Sequence, residues 1–297
     1  MTSNCIHQNV NIGQWELVFR ASLIEILKIY SNSYLAAFLL YKNYISQPIW
    51  TFNFFYKSCP QKLIHFSFNF IESITVDIKY LSIFPIINSI PNPILHTITG
   101  NMLGDGSISL SKFNKGEGIY SMTMDVYSLN YLQHLNENIY SQFTNTKFYP
   151  YPNILLPQHK GKEITQYHFK TNTHPLFTAL HGIWYKYNEK NKRIKIVPLN
   201  ISEMFSEISL AYWIMDDGYF DSYGRTKTVL LCTESFTREE CLILQSLLEK
   251  LNIKSTLKIR NKINNRYRIR ISKTSMDRVI SLVKPYMHKD FLYKLGI

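Results

Sequence analysis

An apolar, helix-like segment ending in Asp-Gly occurs twice in this chain of 297 residues, and each copy opens the same series of elements. The first, residues 94–103, runs into Gly104-Asp105-Gly106; the second, about 203–216, runs into Asp217-Gly218. Strand patterns follow the first at about 107–112 and 119–126, then a helix pattern at 128–143, a hairpin turning near Lys160-Gly161-Lys162 and a helix at 174–187. The second is followed by strands at about 219–223 and 226–232 and by the capping-box opening Thr237-Arg-Glu-Glu240, whose side chains can satisfy orphan N–H groups. That helix runs to about 251; a hairpin turning at Asn264-Asn265 and a last helix from about 275 complete the series. Helix, two strands, helix, two strands, helix, repeated over ~100 residues, is an internal duplication. It predicts an α+β chain in three parts: an extension at 1–92, a first half at 93–200 and a second half at 201–297.

The extension is dense in aromatic residues, with helical periodicity clear only over 15–44, and carries no chemistry-bearing constellation. It closes on Pro91-Asn-Pro93, where the prolines enforce extended backbone. Residues 81–104 are uncharged, but Pro85, Pro91 and Pro93 interrupt them, so no membrane-spanning helix of ~20 apolar residues is expected.

Charge narrows the partner. Lys and Arg number 33 against 21 Asp and Glu, a formal net charge of +12, which favours a polyanion, nucleic acid ahead of a membrane surface. Cys5, Cys59, Cys232 and Cys241 are scattered and predict packed, reduced thiols rather than a zinc site or a disulfide framework. His159, His168, His174 and His181 match no compact metal-ligand spacing. A residue usage rich in Asn, Ile, Lys, Tyr and Phe suggests AT-rich codons and an organellar gene, and no basic leader opens the chain.

The paired acids carry the chemistry. A helix C-terminus bears partial negative charge, so a carboxylate there is disfavoured by ~0.3–1 kcal/mol. Placing one at each of two matched positions, 217 − 105 = 112 residues apart, points to a cation or a reaction. Gly100 and Gly104 lie on one helix face and Ala211 on the other helix, which lets two backbones approach closely. Packed side by side, the helices would bring Asp105 and Asp217 together, where the oxygen ligands suit Mg²⁺. Asp216 stands where the first helix has Gly104; without a twin, it is expected to be a supporting or surface carboxylate.

A second signal is cationic. In residues 254–262 the side chains Lys254, Lys258, Arg260 and Lys262 share one strand parity, with Leu257 and Ile259 on the other; Arg266, Arg268 and Arg270 alternate with Tyr267, Ile269 and Ile271. Alternation predicts one apolar sheet face and one strongly positive face able to meet phosphates or guanine edges. Lys160, Lys162 and Lys170 form a thinner counterpart in the first half, and Tyr120, Arg225 and Lys227 are candidates for further contacts.

Ile98-Thr-Gly-Asn-Met-Leu-Gly-Asp-Gly106 and Leu210-Ala-Tyr-Trp-Ile-Met-Asp-Asp-Gly218 resemble the two motif copies of single-chain LAGLIDADG homing endonucleases encoded in mitochondrial group I introns. Residues 230–237 and 282–295 resemble their flanks, and the likeness covers about 94–297; the first copy departs from the pattern at Leu103. The resemblance implies tandem pseudo-twofold αββαββα halves, with two antiparallel DNA-binding sheets forming a saddle. It places catalytic divalent metal, Mg²⁺, on Asp105 and Asp217. A basic residue late in each half would lie near the scissile phosphates, and Lys195 and Lys294 match those places, 294 − 195 = 99 residues apart. The implied activity is a staggered double-strand cut by a monomer at a long pseudo-palindromic DNA site. The alternative is a maturase that binds its own intron RNA to assist splicing, beside DNA cleavage or without it.

Overall fold

Pro91 caps and Pro93 opens helix α1 (Asn92–Leu103), where proline costs nothing because first-turn N–H groups have no intrahelical acceptor. The computed structural model describes residues 90–113, 116–144, 147–223 and 227–297, which lie in the unit Ile86–Ile297. The helical pattern at 15–44, Cys5, Cys59 and Arg225 fall outside the described residues.

Two strands follow, β1 (Ser107–Leu110) and β2 (Gly118–Asp125). Helix α2 (Leu129–His134) widens into a π turn at Leu135–Ile139 and tightens again at Ser141–Phe143, so the helix expected over 128–143 is not uniform. In an unbroken α-helix, Tyr131 and Tyr140 would project to opposite faces at ~100° per residue. Across the wider turn both hydroxyls reach Asn101, at 3.2 and 3.0 Å. Strands β3 (Phe148–Tyr151) and β4 (Gln166–Lys170) complete an antiparallel sheet of order β1-β2-β4-β3.

His174 caps helix α3 (Pro175–Trp184), its Nδ1 accepting from the Leu176 N–H at 3.1 Å. This helix ends three residues short of the expected 187. Tyr185–Tyr187 leaves it as strand β5 and pairs with β6 (Arg193–Lys195), in a small hairpin that periodicity did not announce. Asn188 closes the turn, its Oδ1 accepting from the N–H groups of Lys190 and Lys192.

Ser206 starts α4 (Glu207–Asp217) with a capping box shared with Ser209, and a separate 3₁₀ turn occupies Ile201–Glu203, where the sequence pattern had the helix beginning. The second half repeats the first: β7 (Gly218–Asp221), β8 (Thr228–Cys232), α5 (Arg238–Lys250), β9 (Ser255–Asn261), β10 (Arg266–Ile271) and α6 (Met276–Val283). Its sheet has the order β7-β8-β10-β9, the same as the first with each strand in the matching place. The Thr237–Glu240 capping box forms, with the Glu240 carboxylate accepting from the Thr237 N–H at 2.7 Å.

Each sheet buries one face against its helices. Tyr120, Met122 and Phe169 meet Phe177 and Leu180 of α3; Val229, Leu231, Ile269 and Ile271 line the other sheet, with Leu244 and Leu248 buried on α5. Each fully buried side chain of this size contributes about 1.5–3 kcal/mol. The halves meet along α1 and α4. A Cβ on Gly100 would lie 2.4 Å from the Ser209 carbonyl oxygen and 2.8 Å from Tyr212 Cβ, and one on Gly104 would lie 2.4 Å from Asp216 Cβ. Only glycine fits at this backbone separation. Ala211 is fully buried on α4, but the contacts that demand glycine come from Ser209, Tyr212 and Asp216. Among the described residues no helix is long and apolar enough to cross a membrane.

Candidate active site and nucleic-acid interface

Asp105 follows the last turn of α1 and Asp217 ends α4. Asp105 is exposed and Asp217 half-buried, yet surrounding protein displaces enough water to raise both carboxyls above the usual range. For Asp217 the causes are burial first and then the charge of Asp105, and its pKa rises to about 6, with Lys195 and Lys294 opposing. For Asp105 burial again leads, and the same two lysines oppose it. The acids therefore share one electrostatic pocket with two cations.

Those cations resolve the oddity of acids at helix C-termini. Strand β6 brings Lys195 to the end of α1, where Nζ donates to the carbonyls of Met102 (3.0 Å), Gly104 (3.0 Å) and Gly106 (2.6 Å). The 3₁₀ segment Lys289–Leu295 brings Lys294 to the end of α4, donating to the carbonyls of Met215 (2.5 Å) and Asp216 (3.0 Å). Each half thus supplies the cation that its own helix C-terminus favours, from far along the chain. Burial lowers both ammonium groups, Lys195 to about 8, while the acids pull them back up.

Asp216 is buried, which removes the surface alternative. Its Oδ2 accepts from Asn101 Nδ2 (2.9 Å) and its Oδ1 from the Tyr131 hydroxyl (3.0 Å), while Asn101 Oδ1 accepts from the Tyr140 hydroxyl (3.0 Å). Burial, then the Asp105 charge, pushes this carboxyl well up. The network joins α1, α2 and α4 across the interface of the halves. Periodicity could not reveal it, because Asn101 and Asp216 occupy positions that read as apolar helix.

The cationic hairpin differs from a free comb. Arg268 pairs with Glu234, donates to the Tyr219 hydroxyl at 2.9 Å and stands over that ring. Arg270 lies 3.5 Å from Asp221. Asp221 comes from β7 and Glu234 from the turn after β8, so reading the hairpin alone missed them. Arg266 donates to the Glu234 carbonyl. The apolar face expected of the hairpin also stops short: residues 258–266 are exposed throughout, Ile259 at 58%. A register shift between Arg266 and Tyr267 further breaks the alternation. Lys254, Lys258, Arg260 and Lys262 remain exposed, as do Lys160, Lys162, Lys170 and Lys227. Tyr120 is wholly buried, stacked 4.5 Å from Tyr140, and cannot contact a duplex. Its parity in β2 is that of the core.

Cys232 and Cys241 are free thiols. Among the described residues no group of three or more His, Cys, Asp and Glu side chains forms a metal cage. His174 caps a helix and His181 stacks on Tyr185 at 4.9 Å.

Comparison with known proteins places this geometry. The LAGLIDADG DNA endonuclease family matches residues 95–279. The chain is similar to the cytochrome b mRNA maturase bI2 of Saccharomyces cerevisiae, 34% identical over 207 residues that cover 68% of this chain and 47% of that protein. It thus spans about half the length of that relative. It is also similar to the intron-encoded endonuclease ai4 of Dictyostelium discoideum, 38% identical over 138 residues, covering 46% of this chain and 80% of that one. Among solved structures, the homing endonuclease I-WcaI bound to its DNA recognition sequence is 28% identical with a TM-score of 0.56, covering 69% of this chain and 86% of that one. Tandem sheets of identical strand order, glycine-tight helices between them and an acid at each helix end agree with that match: the chain belongs to the LAGLIDADG DNA endonuclease family.

Proposed function

We propose that this chain is a site-specific, metal-dependent endonuclease that makes a staggered double-strand cut in DNA at a long pseudo-palindromic site. The observation that carries the reading is the placing of Asp105 and Asp217 at the ends of the paired helices α1 and α4, each end held by a half-buried lysine on its carbonyls. The relatives' printed names, intron-encoded endonuclease and a homing endonuclease bound to its DNA recognition sequence, support it. We take residues 93–200 and 201–297 as the two halves and 1–92 as an extension beside them.

The donor set fits a hard divalent cation, with Mg²⁺ the expected ion. Asp105 and Asp217 offer carboxylate oxygens only, and both are raised by burial first, Asp217 also by the Asp105 charge and Asp105 by the Asp125 charge, a strain that a cation would relieve. Such an ion, when bound, supplies charge neutralisation at the attacking and leaving oxygens of a phosphodiester. The protein's own part is to hold the acids in place. α1 and α4 fix their separation, and Lys195 and Lys294 pin the two helix ends by their carbonyls. The same lysines place positive charge beside the developing phosphate charge. Lys162, Lys170, Lys227, Lys254, Lys258, Arg260, Lys262, Arg266, Arg268 and Arg270, with Arg225, are taken as the DNA-contacting cations.

A second reading, maturase activity toward its own intron RNA, rests on the similarity to the yeast cytochrome b mRNA maturase. An organellar, mitochondrial setting accompanies both readings. The test is incubation of the purified chain with a plasmid library carrying randomised inserts, with Mg²⁺ and with a chelator. Metal-dependent linearisation of a discrete subset is expected. No cutting, together with accelerated splicing of intron RNA, would replace the endonuclease by the maturase.

A further inference from the structure

The outward faces of the two sheets differ in kind. Cross-strand partners share a face, so the register assigns each side chain. In the first sheet Thr123 pairs with His168, His168 with Tyr149, and Gln166 with Asp125. Among the described residues, the charged members of this face are Asp125 and Lys170. Asp125 is engaged by the Ser128 N–H and hydroxyl at 2.9 and 2.8 Å, and Lys170 stands over the Tyr149 ring at 5.1 Å. The Thr123 hydroxyl and His168 Nδ1 lie 2.9 Å apart. Burial first, then the Lys170 charge, lowers the His168 pKa, which disfavours the charged imidazolium. This face offers hydroxyls, an amide and an imidazole, with Lys170 its one cation among the described residues.

The second sheet is the reverse. Lys258, Arg268 and Arg270 share its outward face, the two arginines held by Glu234 and Asp221. Arg260 and Lys262 continue the positive field on a hairpin tip exposed on both sides.

Phosphate contacts add affinity through counterion release and carry no sequence information, whereas base edges are read by matched donors and acceptors, an amide pairing with adenine N6 and N7 and an arginine with guanine. We propose that the two halves divide the reading of one duplex: the second half anchors phosphates through Lys258, Arg260 and Lys262, and the first half discriminates bases through Thr123, Gln166 and His168. This rests on the DNA reading above and deepens it. The hydroxyl–imidazole pair is already oriented before the duplex arrives, so little ordering is left to lose on binding.

The probes are a duplex selected from a random pool by the wild-type chain and a scrambled duplex of the same composition. Two variants, T123V/Q166A and K258Q/R260Q, are compared with wild type across a salt titration, with unchanged melting curves as the folding control. T123V/Q166A is expected to shrink the ratio of selected to scrambled affinity by about tenfold per lost base contact, with the salt slope intact. K258Q/R260Q is expected to weaken both duplexes alike and to lower the salt slope by about 0.9 for each cation removed. A lowered slope in T123V/Q166A with its ratio intact, or an equal loss of ratio in both variants, overturns the division. A wild-type chain that never prefers any selected duplex sinks the DNA reading itself, before a variant is made.

Discussion

Gly104 and Asp216 hold the same place in two matched helices, and a Cβ on Gly104 would sit 2.4 Å from the Cβ of Asp216. The glycine is the space that the aspartate fills. Symmetry between the halves is broken here, at the residue before Asp105 and Asp217, and the Asp216 side chain runs on into Asn101 and Tyr131. Gly104→Ala is expected to destabilise the chain by about 1–3 kcal/mol through overpacking. In combination with Asp216→Gly, which opens the space, the alanine should cost much less, a non-additivity read by urea denaturation of the two single variants and the double. Additive losses would show that the two positions do not press on one another.

The two lysines are not equivalent. Lys195 meets three carbonyls, one for each ammonium hydrogen, whereas Lys294 meets two, and the proposed function gives its remaining hydrogen to a phosphate. Lys195→Met should therefore fall mainly on stability, by about 1–3 kcal/mol for the orphaned carbonyls. Lys294→Met should fall mainly on turnover, by about 10²-fold, the scale of a lost charge-stabilising donor. Denaturation curves and single-turnover cleavage measure both. The reverse order would assign the roles the other way.

Asp217 links folding to pH. Its carboxyl moves from 3.8 to about 6 in the folded chain, so the folded form takes up a proton before the unfolded form does as pH falls. Stability from this group therefore grows as pH drops through 6 toward 4 and is lost as pH rises through 6. With divalent ions chelated, Asp217→Asn should be more stable than wild type by ~2 kcal/mol at pH 8, discounted for screening, with the gap closing toward pH 4. Adding Mg²⁺ should narrow the gap by stabilising wild type alone. A pH-independent difference would mean that Asp217 carries no folding cost.

Much of this was legible before any coordinates. The repeated Asp-Gly helix ends, the capping box at Thr237 and the strand periods encode local preferences, and strand order then repeated across both halves. What stayed hidden depends on distant partners. The β5–β6 hairpin that delivers Lys195 has only three residues in each strand, too short for a period to show. The Glu234 and Asp221 partners of Arg268 and Arg270 sit on other segments, so parity within one hairpin overstated its free charge. For Asp216 a supporting and a surface role stayed open, because nothing local revealed Asn101 and Tyr131 waiting across the interface.

Strand-resolved cleavage of one end-labelled target duplex under Mg²⁺ tests the shared pocket most directly. The proposal that Asp105 and Asp217 serve one site predicts that Asp105→Asn and Asp217→Asn each lose cutting of both strands by at least ~10³-fold while still binding the duplex. Full-rate cutting of both strands by either variant would contradict the account.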